Sequence, residues 1–204
     1  MAYHHGGLPD TLRQATAELV AERGPTGFSL REVARRAGVS HAAPQHHFGS
    51  ARGLLTSVAV EGFRRLRDEF VDAIALGGTA AELLERTGLA YVRTALAYPG
   101  HFGLMLQHDL VDPDDPELAE VSTETFGLLV AVIEAVRDEC NTDLDVDDAA
   151  IMCWSLMHGL VVLTPKHVEM AERELTPRPE IEQRVRAFTH YLIAGFAARE
   201  DGAC

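Results

Sequence analysis

The stretch Ser29-Leu30-Arg31-Glu32-Val33-Ala34-Arg35-Arg36-Ala37-Gly38-Val39-Ser40, continued by His41-Ala42-Ala43-Pro44-Gln45-His46-His47-Phe48, decides the fold. Ser29 followed three residues later by Glu32 is a capping box, in which the serine oxygen accepts from the backbone N–H of position 32 and the glutamate reaches back. A helix therefore starts at about Leu30. Gly38 suits the left-handed backbone that closes a helix, so this one ends there. Ser40 is the expected N-cap of a short third helix ending near Phe48. Ala34 and Ala37 are small enough to let the two helices approach, and Leu30, Val33, Val39 and Phe48 supply a shared apolar core. Two short helices across a tight turn are the helix-turn-helix plan. Pro44, four residues past the expected cap, would remove the first helical hydrogen bond and crowd the Ser40 carbonyl.

Upstream, Leu12, Ala15, Leu19 and Val20 mark a first helix, opened by Pro9 and closed near Gly24. Downstream, Leu54, Val58, Leu66, Phe70 and Ile74 form one stripe of a long fourth helix, broken at Gly77-Gly78. Thr79-Ala80-Ala81-Glu82 is a second capping box, opening a helix that Pro99-Gly100 ends. After a short segment from His101 to Leu110, Asp115 and Pro116 start a helix with Leu118, Val121, Ile133 and Val136 on its face. Asp145 to Asp148 put negative charge at the start of the next, from about Ala149 to Thr164. Lys166 to Arg178 reads as a partly helical connector, and Ile181, Val185, Phe188, Leu192 and Phe196 mark a last helix over about 179–198. No period-2 alternation competes. The fold class is all-α with about nine helices: a helix-turn-helix head at residues 1–50, a larger body at 51–204, and helix four as the connector.

The chain has 204 residues and a net charge of −13, which by itself argues against a polyanionic partner. The distribution argues otherwise. Residues 1–67 hold 9 Arg against 5 acids and half of the ten histidines, while the remainder holds 9 Lys or Arg against 26 acids. A basic head on an acidic body fits a module that meets phosphates at one end. The longest apolar run, Ala149 to Leu163, is broken by Ser155, His158 and Gly159. It falls short of the roughly 18–20 residues a membrane span requires, so no membrane partner is expected. The first residues carry no apolar signal segment. Three cysteines without close spacing (Cys140, Cys153, Cys204) suit a reducing cytoplasm.

The 29–48 stretch, with Leu54-Leu55 behind it, closely resembles the TetR family of transcription regulators over about the first 60 residues. The opening Tyr3-His4-His5-Gly6 and the later Trp154-Ser155-Leu156-Met157-His158-Gly159 resemble one branch of that family, whose C-terminal domain carries a Trp-His-Gly signature. The resemblance implies a cytoplasmic homodimer whose third helices enter successive major grooves of double-stranded DNA, roughly 34–36 Å apart. It implies that Ser29, Arg31, Ser40, His47 and Arg52 meet the DNA backbone and that His41, Ala43, Gln45 and His46 lie toward the groove. Helix N-termini offer N–H groups to phosphate, and Gln and His exchange hydrogen bonds with base edges. Arg35 and Arg36 either reach the backbone or stay with Glu32. Gln45 stands where the family usually has a phosphate-binding Tyr, and Ala51 where it usually has Lys, which predicts a shallow salt dependence.

In the body, Trp154 and His158 share one helix face. One reading makes Trp154 a core anchor with His158 hydrogen-bonded to a buried partner. The other sets both on the wall of a small-molecule cavity with Tyr91, Phe102, Met105 and Met157. The helix holding them and the last helix either build a homodimer interface across a two-fold axis or complete one monomer's core. His101 and His108 lack any His-Glu-x-x-His or Cys-x-x-Cys partner spacing, so no metal and no cofactor is expected. Two functions compete. One is a ligand-responsive repressor that binds a near-palindromic operator and is released by a small molecule. The other is a helical enzyme, carrier or adaptor whose head reads no DNA. No nucleophile elbow, phosphate loop or carboxylate pair supports catalysis, so no catalytic residue is assigned.

Overall fold

A computed structural model describes residues 7–163 and 178–197. Nine α-helices, one 3-10 turn and no strand occur among the described residues. They are α1 (Leu8–Arg23), the 3-10 turn (Pro25–Gly27), α2 (Leu30–Arg36), α3 (Ala43–Phe48), α4 (Ala51–Ala75), α5 (Ala80–Ala97), α6 (Pro99–Met105), α7 (Pro116–Cys140), α8 (Val146–Leu163) and α9 (Arg178–Ala197). The connector expected from Lys166 and the Tyr3-His4-His5-Gly6 arm lie outside the described residues.

Two compact units divide the chain. The first comprises the described residues up to Arg65 together with Ala97–Thr123, so α6 and the start of α7 join the head. Its centre is Leu12, Ala15 and Leu19 of α1, Val33 of α2, Ala43 of α3 and Leu54 of α4. Phe28, Leu30, Ala37, Val39 and Phe48 pack around them, matching the apolar set expected for the turn. Gly100 on α6 lies against the backbone of α1: an added Cβ would come within 1.9 Å of the Ala17 carbonyl oxygen. A proline-glycine pair that reads as a helix breaker thus opens α6 and seats it.

The second unit comprises Leu66–Leu96 and the described residues from Glu124 onward. At Gly88 of α5 an added Cβ would meet Val185 of α9 at 3.2 Å and Met157 of α8 at 3.3 Å, so a residue without a side chain marks where three helices converge. Thr79 and Glu82 complete a reciprocal capping box: the Glu82 N–H donates to Thr79 Oγ1 (3.3 Å) and the Thr79 N–H to Glu82 Oε2 (2.9 Å). Asp145 caps α8 by accepting from the Asp148 N–H at 2.9 Å. This helix departs from expectation in its length. At 18 residues and mean hydropathy 1.5 it is long and apolar enough, by length and composition alone, to cross a membrane, because Val146–Asp148 extend it. And although apolar nearly all round, only one side, with Ala150, Cys153, Met157 and Leu160, is buried. Ile151, Met152, Leu156, Val162 and Leu163 are exposed.

Candidate nucleic-acid interface and interior polar cluster

Ser29 Oγ caps α2 by accepting from the Glu32 N–H at 3.3 Å. The returning half of the box is not made. Glu32 instead takes two hydrogen bonds from Arg35, at 2.9 and 2.7 Å, since a paired guanidinium is a stronger donor than a lone amide. Gly38 holds a φ of +68° and turns the chain toward α3. There the start differs from expectation. Ser40-His41-Ala42-Ala43 form a turn, closed by the Ala43 N–H to the Ser40 carbonyl at 3.0 Å, and α3 begins at Ala43 with no side-chain cap. Pro44 thus lies in the first helical turn, where a proline has no hydrogen bond to lose. Ser40 is a turn residue and not an N-cap.

Of the residues expected at DNA, Ser29, Arg31, Ser40, His41, Gln45, His46, His47 and Arg52 are exposed. Ala43 is not: it is buried in the centre of the first unit. The shift of the helix start explains this, because it rotates position 43 onto the face shared with α1 and α2. The Gln45 amide donates to the Gly49 carbonyl and so tidies the end of its own helix. Arg52 donates to the Asp109 carbonyl at 3.0 Å. Arg36 does not pair with Glu32: it makes a bidentate pair with Glu22 of α1, at 2.8 and 2.7 Å. Only fold distance, not sequence spacing, could reveal that partner, fourteen residues away.

A second feature of this unit escaped the sequence reading. Glu61 of α4 is shared by Arg65 one turn on, by Arg13 Nε of α1 at 3.5 Å, and by His101 Nε2 of α6 at 3.7 Å. The His101 ring, with Arg65, holds the Glu61 carboxyl down at about 2, against burial, which pushes it up. At 3.7 Å the His101 contact is an ion-pair distance and not a hydrogen bond, and Nε2 is buried with no hydrogen-bond partner. Arg65 also stacks on Tyr98, 4.4 Å from the ring centroid. The i,i+4 spacing of Glu61 and Arg65 was the one available signal.

In the second unit Tyr91, Trp154 and His158 come together. The Trp154 indole N–H donates to the Tyr91 hydroxyl at 3.1 Å, and that hydroxyl lies 2.9 Å from His158 Nδ1. Indole can only donate, so the arrangement that serves all three is Trp154 to Tyr91 to His158, with Nδ1 accepting and the imidazole neutral. Burial agrees, since it lowers the His158 pKa and raises that of the Tyr91 hydroxyl. Phe126 lies beside Trp154, centroids 5.9 Å apart. Met157 is buried on the same helix. Phe102 and Met105 of the expected wall belong to the first unit. There Met105 fills the space over Gly62, where an added Cβ would be 2.9 Å from its sulfur. Cys153 is buried, its thiol pushed up to about 12, an unreactive core residue.

Comparison with known proteins gives a consistent picture. Residues 12–58 match the family model described as bacterial regulatory proteins, tetR family, and residues 84–193 match the tetracyclin repressor-like C-terminal domain. An uncharacterized HTH-type transcriptional regulator of Bacillus subtilis, YobS, is 24% identical over 88% of this chain and 89% of its own. A Rhodococcus protein of unknown function superposes with a TM-score of 0.76 and 27% identity, covering 97% of this chain and 99% of its own. The TetR family transcriptional regulator PfmR of Thermus thermophilus superposes at 0.72 with 21% identity, over 90% and 94%, a likeness of fold.

Proposed function

The chain belongs to the tetR family of bacterial regulatory proteins, and on that premise we propose that it is a homodimeric repressor, released from a near-palindromic operator by a small molecule. The observation that carries the DNA reading is the two-sided character of α3. Its inner face, Ala43, Pro44 and part of Phe48, is committed to the core, while Gln45, His46 and His47 stand in solvent with His41 just ahead of them. A rigid rod with hydrogen-bonding side chains on its free face suits a major groove. Ser29, Arg31, Ser40 and Arg52 flank it as backbone contacts; Ala43, being buried, is left to packing.

The exposed apolar side of α8, with Tyr191 of α9 at 70% exposure, supports dimerisation through these two helices. A strip of this kind is what a protein interface covers, and a two-fold particle matches a two-fold site. The Tyr91–Trp154–His158 cluster, with Met157, supports an effector contact in the body. A ligand shifts the equilibrium only as far as it prefers one arrangement of the protein over another. Selection from a random-sequence duplex pool tests the reading. A short near-palindrome bound by a dimer is expected. His46→Ala should change the preferred sequence, whereas Arg52→Ala should weaken all sequences alike. Absence of any selected sequence from a monomeric protein would end the proposal.

A further inference from the structure

The segment read here as the DNA-contacting rod carries no permanent positive charge. Between Arg36 and Arg52 the sequence holds neither Lys nor Arg, and its chargeable side chains are His41, His46 and His47. All three are exposed, and the His46 and His47 rings stand edge to face with centroids 5.2 Å apart.

The arginines of the helices packed against α3 do not make up the deficit, because most are neutralised inside the protein. On α2, Arg36 is taken by Glu22 and approached by Glu18 at 3.8 Å. Arg35 is taken by Glu32, which Arg23 of α1 also approaches at 3.7 Å. Arg13 of α1 is shared between Asp10 and Glu61. The hydrogen bonds from Arg36 and Arg35 hold Glu22 and Glu32 below the usual carboxylate range, so these pairs stay closed near neutral pH. Two cations escape cancellation. Arg31 is exposed and has no ion pair among the described residues, and Arg52 meets only a neutral carbonyl.

We propose that His41, His46 and His47 are proton-linked DNA contacts, so that the recognition segment acquires its charge by taking up protons as it meets phosphate. The inference rests on the DNA reading given above. A neighbouring phosphate favours the charged form of an imidazole, and whatever binds the protonated form better must bind more tightly as pH falls. The sign follows directly: the gain is complete at acid pH and is lost as pH rises through the range in which the bound histidines release their protons. A generic histidine whose proton affinity rises tenfold on meeting DNA strengthens binding about sixfold between pH 8 and pH 6, and two such residues roughly fortyfold. Protonated rings also displace counterions, so the salt dependence steepens at the lower pH.

The experiment uses the full chain and a duplex it selects from a random pool at low ionic strength and pH 6. Affinity for that duplex is measured at pH 6, 7 and 8 at fixed ionic strength, and proton uptake by calorimetry in buffers of different ionisation heat. The expected result is a rise of about tenfold or more from pH 8 to pH 6, with net proton uptake. His41→Gln, His46→Gln and His47→Gln, each exposed and so expected to keep wild-type helicity, should each flatten the pH response, and the triple variant most. A selected duplex bound with the same affinity at all three pH values, with no proton uptake, overturns this inference and leaves the DNA reading intact. Selection of no duplex overturns both.

Discussion

Replacing Glu61 by Gln removes one charge from the point where α1, α4 and α6 meet and keeps the shape of the side chain. His101 and Arg65 hold the carboxyl down at about 2, against about 4.3 for an ordinary glutamate. That gap, fully realised, corresponds to about 3 kcal/mol. The side chain is 30% exposed, and the His101 contact is too long for a hydrogen bond, so solvent screening brings the figure nearer about 2 kcal/mol. A depressed carboxylate stabilises the fold above its unfolded pKa and ceases to do so as pH falls through its folded value. The deficit of Glu61→Gln should therefore be full from about pH 6 upward, less than about half at pH 3, and gone near pH 2. Urea unfolding followed by helicity, for both proteins between pH 7 and pH 3, reads this directly. A variant as stable as the parent at pH 7, or a deficit that does not shrink with acid, would refute the account of this cluster.

Tyr91→Phe leaves the Trp154 indole and His158 Nδ1 without the hydroxyl between them and should cost about 1–3 kcal/mol. Trp154 is the sole tryptophan, so its emission should shift in the folded variant; an unchanged spectrum would contradict the hydrogen bond. Gly100→Ala drives a methyl group into the Ala17 carbonyl and should lower stability by roughly 1–3 kcal/mol, seen as a reduced thermal midpoint. At Gly159 an added Cβ would meet nothing within 4 Å. Gly159→Leu should thus preserve helicity yet raise the monomer fraction in sedimentation if this side of α8 meets its copy. Ser29→Ala removes half a capping box and should cost about 0.5–1 kcal/mol.

Most helices were legible because their caps and stripes are local. Thr79-x-x-Glu82, Asp115 before Pro116, and Gly24 and Gly38 at helix ends each act within one turn of chain, and each acts in the structure as the sequence implies. The start of α3 was misread because Ser40 is an excellent cap by composition, while Pro44 is best accommodated within the first turn of a helix. That slip of two residues also misassigned Ala43. The partners of Arg36 and His101 were illegible because each lies fourteen or more residues away, where no periodicity carries information. The half-exposed state of α8 was likewise hidden: an apolar surface reads the same whether its own chain or a second copy covers it.

The contact at Gly100 has a mechanical meaning. Helices that touch through side chains can change rotamer at the contact and so absorb a small displacement. Here main chain lies on main chain with no flexible group between, and close-packed protein compresses little. A push delivered to α6 is passed undamped to α1, like thrust through a bearing with no play. α1, which supplies Leu12, Ala15 and Leu19 to the centre of the first unit, therefore follows α6 with little slack.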